Sequence, residues 1–257
     1  MAEKKEHKIV SASDGEARKA KPKTAAPAAQ EAPQQAVHTV KPAAEKGNAS
    51  GLRIGAVILW VFAIVFEVLA VLVLFGKINM TFMPLMWQLI LFIVLDLACV
   101  IVGAQLWKKA NHIDPASEKN KVKFWLWNNM GVIVCVFAFV PIIILMLTNK
   151  DLDKKTKAIC VVAAVIALMI GGLTSVDWNP VSEEQLTEAV ETLGDTEVYW
   201  APFGRVYHTH EDCQALNRSE TLTMGTVDQA IAANRTKLCA FCANRDSIQG
   251  VVTEDMD

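Results

Sequence analysis

Residues 1–50 contain no phenylalanine, tryptophan or tyrosine. A segment without large apolar side chains cannot bury enough surface to offset its ordering entropy, which excludes a packed domain there. The block is instead rich in Ala and Lys, with prolines at 22, 27, 33 and 42, so residues 1–51 are expected to form a disordered tail. It also lacks the apolar run that follows the basic region of a secretory signal. None occurs before Leu52, and the first long apolar run therefore reads as a retained anchor. Acidic residues at 3, 6, 14, 16, 31 and 45 are interspersed with the lysines, which favours a solvated tail over one lying on anionic lipid.

Three other shortages narrow the function. No phosphate-binding loop and no nucleophile paired with a base can be read along the chain, which argues against an enzyme. No Lys or Arg lies between Lys157 and Arg205. Of the six cysteines, only Cys213, Cys239 and Cys242 fall in the C-terminal third, and three cysteines cannot pair completely among themselves.

What the chain has in abundance is apolar sequence, 53% of its residues, concentrated between Leu52 and Val176. Four runs, 52–76, 82–107, 124–148 and 158–175, are each long enough to cross a hydrocarbon core as a helix. Together they predict a four-helix transmembrane domain over 52–176, with short connections that make neighbours antiparallel. Trp60, Trp87, Trp107, Trp125 and Trp127 lie mostly toward the ends of the runs, where indoles favour the lipid–water interface.

Orientation follows from Lys and Arg. With the N-terminus cytoplasmic, that side holds Lys41, Lys46, Arg53, Lys108, Lys109, Lys119, Lys121 and Lys123. The other side holds Lys77, Lys150, Lys154, Lys155 and Lys157. This arrangement is expected, with the C-terminus also cytoplasmic. A re-entrant third run, leaving the C-terminus outside, is the alternative that the tail's poverty in basic residues suggests.

Glu67 and Asp96 sit near the middles of the first two runs, with no basic residue at that depth to pair with them. Buried intramembrane carboxyls often mark a proton or ion path. The structural reading is that they stay protonated and bond across the helix interface, to Asn128 or Asn129 or to the carbonyl freed by Pro141. Cys99, Cys135 and Cys160 read as small apolar residues.

Beyond the runs, 177–194 predicts an amphipathic linker helix. Ser182 and Gln185 form its capping box, Leu186, Ala189, Val190 and Leu193 its apolar face, and Gly194 its end. Residues 195–247 then read as a small ββα-like module. Two β-rich runs flank Pro202-Phe-Gly as a hairpin, a short helical stretch runs through Leu216, and Thr226 with Gln229 caps a helix over 227–233. Asn234 is placed to take a left-handed conformation before Cys239-Ala-Phe-Cys242. Residues 248–257 are expected to be a disordered acidic tail.

A unit this small needs a staple. Cys213, Cys239 and Cys242 with one imidazole complete a tetrahedral structural zinc site, one ion per chain. The imidazole is His208 or His210, which share a strand face, so that only one should reach the metal. A redox dithiol at Cys239 and Cys242 is the competing reading.

The stretches Val206-Tyr-His-Thr-His-Glu-Asp-Cys-Gln-Ala-Leu, Gly225-Thr-Val-Asp-Gln-Ala-Ile-Ala-Ala and Leu238-Cys-Ala-Phe-Cys-Ala resemble small bacterial metal-binding modules related to the zinc domain of Ada-type DNA repair proteins. The resemblance covers about 198–243 and nothing upstream. It implies His208, Cys213, Cys239 and Cys242 as ligands of a structural metal. One extra residue before Cys213, compared with the commoner form, keeps His210 as the alternative. The methyl-acceptor chemistry of Ada-type proteins uses four cysteines, and a histidine in the set departs from it. Arg205, Arg218, Arg235, Lys237 and Arg245 are too few to predict a nucleic-acid face.

The expected function is that of a multi-pass bacterial cell-membrane protein displaying a zinc-stapled binding or scaffold module without catalysis. Its partners would be the bilayer and a protein or envelope component. The alternatives are a small ion-coupled transporter or sensor using Glu67 and Asp96, and a dithiol redox or zinc enzyme.

Overall fold

A chain in hydrocarbon must satisfy every backbone N–H and C=O internally, so long apolar runs become helices. The computed structural model describes residues 8–12, 17–19, 43–249, 251 and 253. In chain order the elements are β1 (Lys8–Ser11), β2 (Ala17–Lys19), α1 (Ala43–Leu74), α2 (Leu85–Ile113), α3 (Lys121–Asn128), α4 (Met130–Thr148), α5 (Lys154–Ser175) and α6 (Glu183–Leu193). They continue with β3 (Val198–Trp200), β4 (Val206–Tyr207), a 3-10 turn (Gln214–Leu216), β5 (Thr221–Gly225), α7 (Val227–Ala232), β6 (Lys237–Leu238) and α8 (Ala240–Asp246). Two compact units result, one of residues 47–183 and one that joins residues from 184 onward to the N-terminal strands.

In the helical unit, four helices are long and apolar enough to cross a membrane: Ala49–Leu74 within α1, together with α2, α4 and α5. They pack through small residues. A Cβ on Gly131 would lie 2.7 Å from Ala104 Cβ, and one on Gly171 would lie 2.8 Å from Cys135 Sγ. Such small residues let the helix backbones approach closely. Between α1 and α2, Gln88 is wholly buried and knits the turn, donating to Asn79 Oδ1 and to the carbonyls of Met80 and Met83 while accepting from Met80 N–H. Asn149 does the same between α4 and α5, accepting from Asp151 and Leu152 N–H.

The third run differs from the single helix expected over 124–148. It breaks at Asn129, so that Phe124–Asn128 belongs to the separate α3 and the span is α4 alone. The break is held by α2: Trp107 Nε1 and Asn111 Nδ2 donate to Trp127 O, and Asn111 also donates to Asn128 Oδ1. α4 runs the length of the bundle. Its start lies against the end of α2, and Asn149 just past its end reaches Leu74 O at the end of α1. The beginning of α1 and the end of α5 consequently lie at one end of the bundle. There Arg53 pairs with Asp114 at 2.8 Å, and Lys108 Nζ donates to Thr174 O at 2.7 Å.

Three of the tryptophans pack against one another inside the bundle. Trp60, Trp107 and Trp127 stack on one another with ring centroids 5.3 and 5.2 Å apart, and the Arg53 guanidinium lies over Trp107 and Trp127. The two cation–π contacts and the indole bond to Trp127 O favour the inward arrangement.

The second unit contains a sheet of order β2-β1-β5-β3 and a two-stranded parallel sheet of β4 and β6. The expected hairpin is present, with Tyr199 and His208 exchanging backbone bonds at 2.8 Å. The capping box of Thr226 and Gln229 forms, and Asn234 takes φ +65° to end the turn after α7. Two expectations are revised. The tail read as disordered over 1–51 contributes β1 and β2 to the sheet, and α1 begins at Ala43 rather than Leu52. Within the expected tail 248–257, Thr253 bridges Leu238. Composition averaged over either segment hides short β-branched stretches such as Ile9-Val10, which become strands only against a partner.

Candidate metal centre

His208, Cys213, Cys239 and Cys242 reach the centre from different places. His208 follows β4, Cys213 opens the 3-10 turn, Cys239 lies between β6 and α8, and Cys242 is in the first turn of α8. The parallel pairing of β4 with β6, extended by the bond from Cys239 N–H to Tyr207 O at 2.9 Å, draws the knuckle against the histidine. All four side chains are buried, and their ligand atoms lie within 4.8 Å of one another.

The distances fit a tetrahedral ion. A Zn–S bond of about 2.3 Å implies sulfurs about 3.8 Å apart. Cys213 Sγ and Cys239 Sγ are 3.9 Å apart, as are Cys242 Sγ and His208 Nδ1. The donor set of three thiols and one imidazole can hold a metal ion. Within the cluster, the proton that Cys239 donates holds the Cys242 thiol well below the usual thiol range; burial opposes this, and His208 and the Thr209 N–H reinforce it. Burial pushes the Cys213 thiol up, and the Cys239 thiol rises because it is the donor to Cys242.

His210 does not join them. Its Nε2 lies 2.6 Å from Asp246 Oδ1, and Thr209 Oγ1 donates to Asp246 Oδ2 at 2.5 Å. Burial alone would raise the Asp246 carboxyl, but the bonds from Thr209 and His210 outweigh it and hold the carboxyl below its ordinary range. This brace between the His208 loop and the end of α8 had no signal in the sequence, because its partners are 36 residues apart. A second brace was equally hidden. Arg235 donates to the carbonyls of Ala201, Pro202 and Ala233, clamping the hairpin turn that leaves Phe203 fully exposed.

In the helical unit, Glu67 lies in α1 and Asp96 in α2. Asp96 is buried, and its Oδ1 has no hydrogen-bond partner among the described residues. Of the expected asparagine partners, Asn128 Oδ1 accepts from Asn111 while its buried Nδ2 has no partner among the described residues, and Asn129 donates to Trp125 O. Glu67 lines a groove of about 350 Å³ with Trp60 and Ala63 of α1 and Val134, Phe137 and Ala138 of α4. Cys135 and Cys160 are buried among apolar residues, while Cys99 is partly buried.

The chain is thus a mostly helical protein with four helices able to span a membrane and a small module whose His/Cys group can hold a metal ion. No family model, no curated protein and no solved structure matches it.

Proposed function

We propose that this is a multi-pass cell-membrane protein that displays a module stapled by one structural zinc ion, and that the module binds a protein or envelope component rather than catalysing a reaction. The observation that carries this reading is the closed donor set, with three thiols and one imidazole all buried around one point. A catalytic zinc keeps an open position beside three protein ligands, and here four donors leave none. The likeness of 198–243 to Ada-related modules supports the same ligands and a structural metal. Phe203, at the clamped turn, and Phe241, between the knuckle cysteines, are apolar side chains the module presents to a partner. The Lys and Arg distribution supports a cytoplasmic N-terminus, and an even number of spans carries the module to the same side.

Metal analysis of the purified full chain tests this reading. About one zinc per chain is expected, lost in His208→Ala and retained in His210→Ala. Equal loss in both variants, or no metal in the parent with a reducible disulfide in its place, would defeat it.

A second reading rests on the groove beside Glu67 and the unpartnered Asp96 oxygen, which suit a small ion-coupled transporter or sensor. Proton and Na⁺ flux into vesicles holding the purified protein decides it. This reading expects a flux that disappears in the Glu67→Gln, Asp96→Asn double variant, while the metal content of the module stays unchanged. A parent chain without flux ends it.

A further inference from the structure

The sheet of the module is not completed by the module. β5 lies between β3, its antiparallel neighbour, and β1, which comes from the far end of the chain and runs parallel to it. The register is continuous over four residues, with Lys8 opposite Thr221, Ile9 opposite Leu222, Val10 opposite Thr223 and Ser11 opposite Met224. Ala12 N–H then donates to Met224 O at 2.8 Å. Ile9 and its partner Leu222 are both buried. Ile9 and Val10 are the only Ile or Val before Val37, so this β-branched pair stands alone in the first part of the tail.

Without β1, the outer edge of β5 would present a row of open backbone donors and acceptors, the kind of edge that extended peptides add to. Main-chain bonds supply the affinity in such docking, and alternate side chains supply selectivity. The tail meets both requirements. Residues 20–42 connect β2 to α1 in the sequence, so β1 belongs to the same chain as the β5 edge it pairs with. A tethered ligand acts at an effective concentration in the roughly millimolar range, enough to occupy a site of modest intrinsic affinity.

We propose that the outer edge of β5 is a strand-docking site whose resident ligand is the chain's own Lys8–Ser11 segment, and that this ligand is exchangeable. The N-terminal tail is then a built-in competitor that guards the module. An incoming partner is an extended peptide carrying adjacent β-branched residues and pairing parallel to β5.

Disulfide trapping in the full-length, membrane-inserted protein tests both halves of the proposal. Val10→Cys with Thr223→Cys places the new thiols on partnered residues, whereas Val10→Cys with Thr221→Cys shifts them by two. With a protease site inserted between residues 24 and 36, a trapped N-terminal fragment stays attached to the main chain until reduced. The matched pair is expected to cross-link at least about tenfold faster than the shifted pair, since the neighbouring strands it bridges are only about 4.8 Å apart. Mixing copies with two different tags is expected to show linkage within one chain. A synthetic peptide of residues 6–13, added before oxidation, should halve the yield at roughly millimolar concentration, and a scrambled peptide should not. Cross-linking that ignores register, or that joins different copies, would overturn the resident-ligand assignment. A yield unmoved by roughly ten times that peptide concentration would overturn exchange.

Discussion

Replacing Cys242 with Ser is expected to remove the metal and the fold of the module together while leaving the helical bundle in place. Cys242 is buried against His208 and the other two thiols, so its loss deletes one of four donors from a closed set. The magnitude makes this the largest effect foreseen. Structural zinc contributes about 10–16 kcal/mol of apparent binding free energy in small metal-folded units. A whole domain is typically stable by only about 5–15 kcal/mol, and a unit of this size buries too little surface to compensate. Metal content should fall from about one ion per chain to less than about a tenth, and limited proteolysis should open new cuts within 195–247. Cys160→Ala is the control, since that thiol packs in the apolar core of the bundle. It should change neither readout. A Cys242→Ser chain that keeps both its metal and its protease resistance would show that the cluster is not a staple.

Asp177→Ala is expected to destabilise the helical bundle by about 3 kcal/mol, the scale of removing a buried carboxylate that accepts several hydrogen bonds. Asp177 Oδ2 lies 2.9 Å from His112 Nε2, and each side chain is only 5% exposed. Its other oxygen accepts from Asn179 N–H at 3.1 Å, and Lys108 stands near it while capping the last carbonyls of α5. Burial alone would raise this carboxyl. His112, Asn179 and Lys108 together outweigh burial and hold it below the ordinary value of 3.8. A group whose pKa is lower in the folded than in the unfolded state stabilises fully above its unfolded pKa. That contribution is lost as pH falls through the folded value. The difference between parent and variant should therefore be complete at neutral pH and shrink below about pH 4. Unfolding midpoints in detergent at pH 7 and pH 3.5 measure it. Equal midpoints at pH 7 would mean that the pair contributes nothing, and a gap that widens in acid would reverse the sign argued here.

Much of this architecture is legible in the sequence. The four long helices were legible because a run that long and apolar satisfies its backbone within itself as a helix, whatever its neighbours. The same holds for local features of the module. Thr226 with Gln229 forms a capping box within one turn, and Asn234 accepts positive φ because its short polar side chain tolerates the left-handed region. The spacing of Cys239 and Cys242 already brings two sulfurs toward one centre.

Other features were illegible for one physical reason: each depends on a partner distant in sequence. His208 and His210 are equivalent by spacing. Only Asp246, delivered by α8, draws one away while Cys242 faces the other. The break at Asn129 depends on Trp107 and Asn111 of α2 taking the Trp127 carbonyl. Trp107 and Trp127 are joined by the Trp107 indole bond and by Arg53 over both rings, contacts between residues far apart in sequence.

By itself, the sequence determined that the chain has four helices long enough to cross a membrane, and that three cysteines with a histidine lie in a small C-terminal unit. Both follow from composition and short-range spacing. Only the tertiary structure decided which histidine faces the thiols and that β1, from the N-terminal tail, completes the sheet of the C-terminal module. Backbone pairing across most of the chain's length leaves no periodic trace in either segment, and its energy exists only once both strands are present.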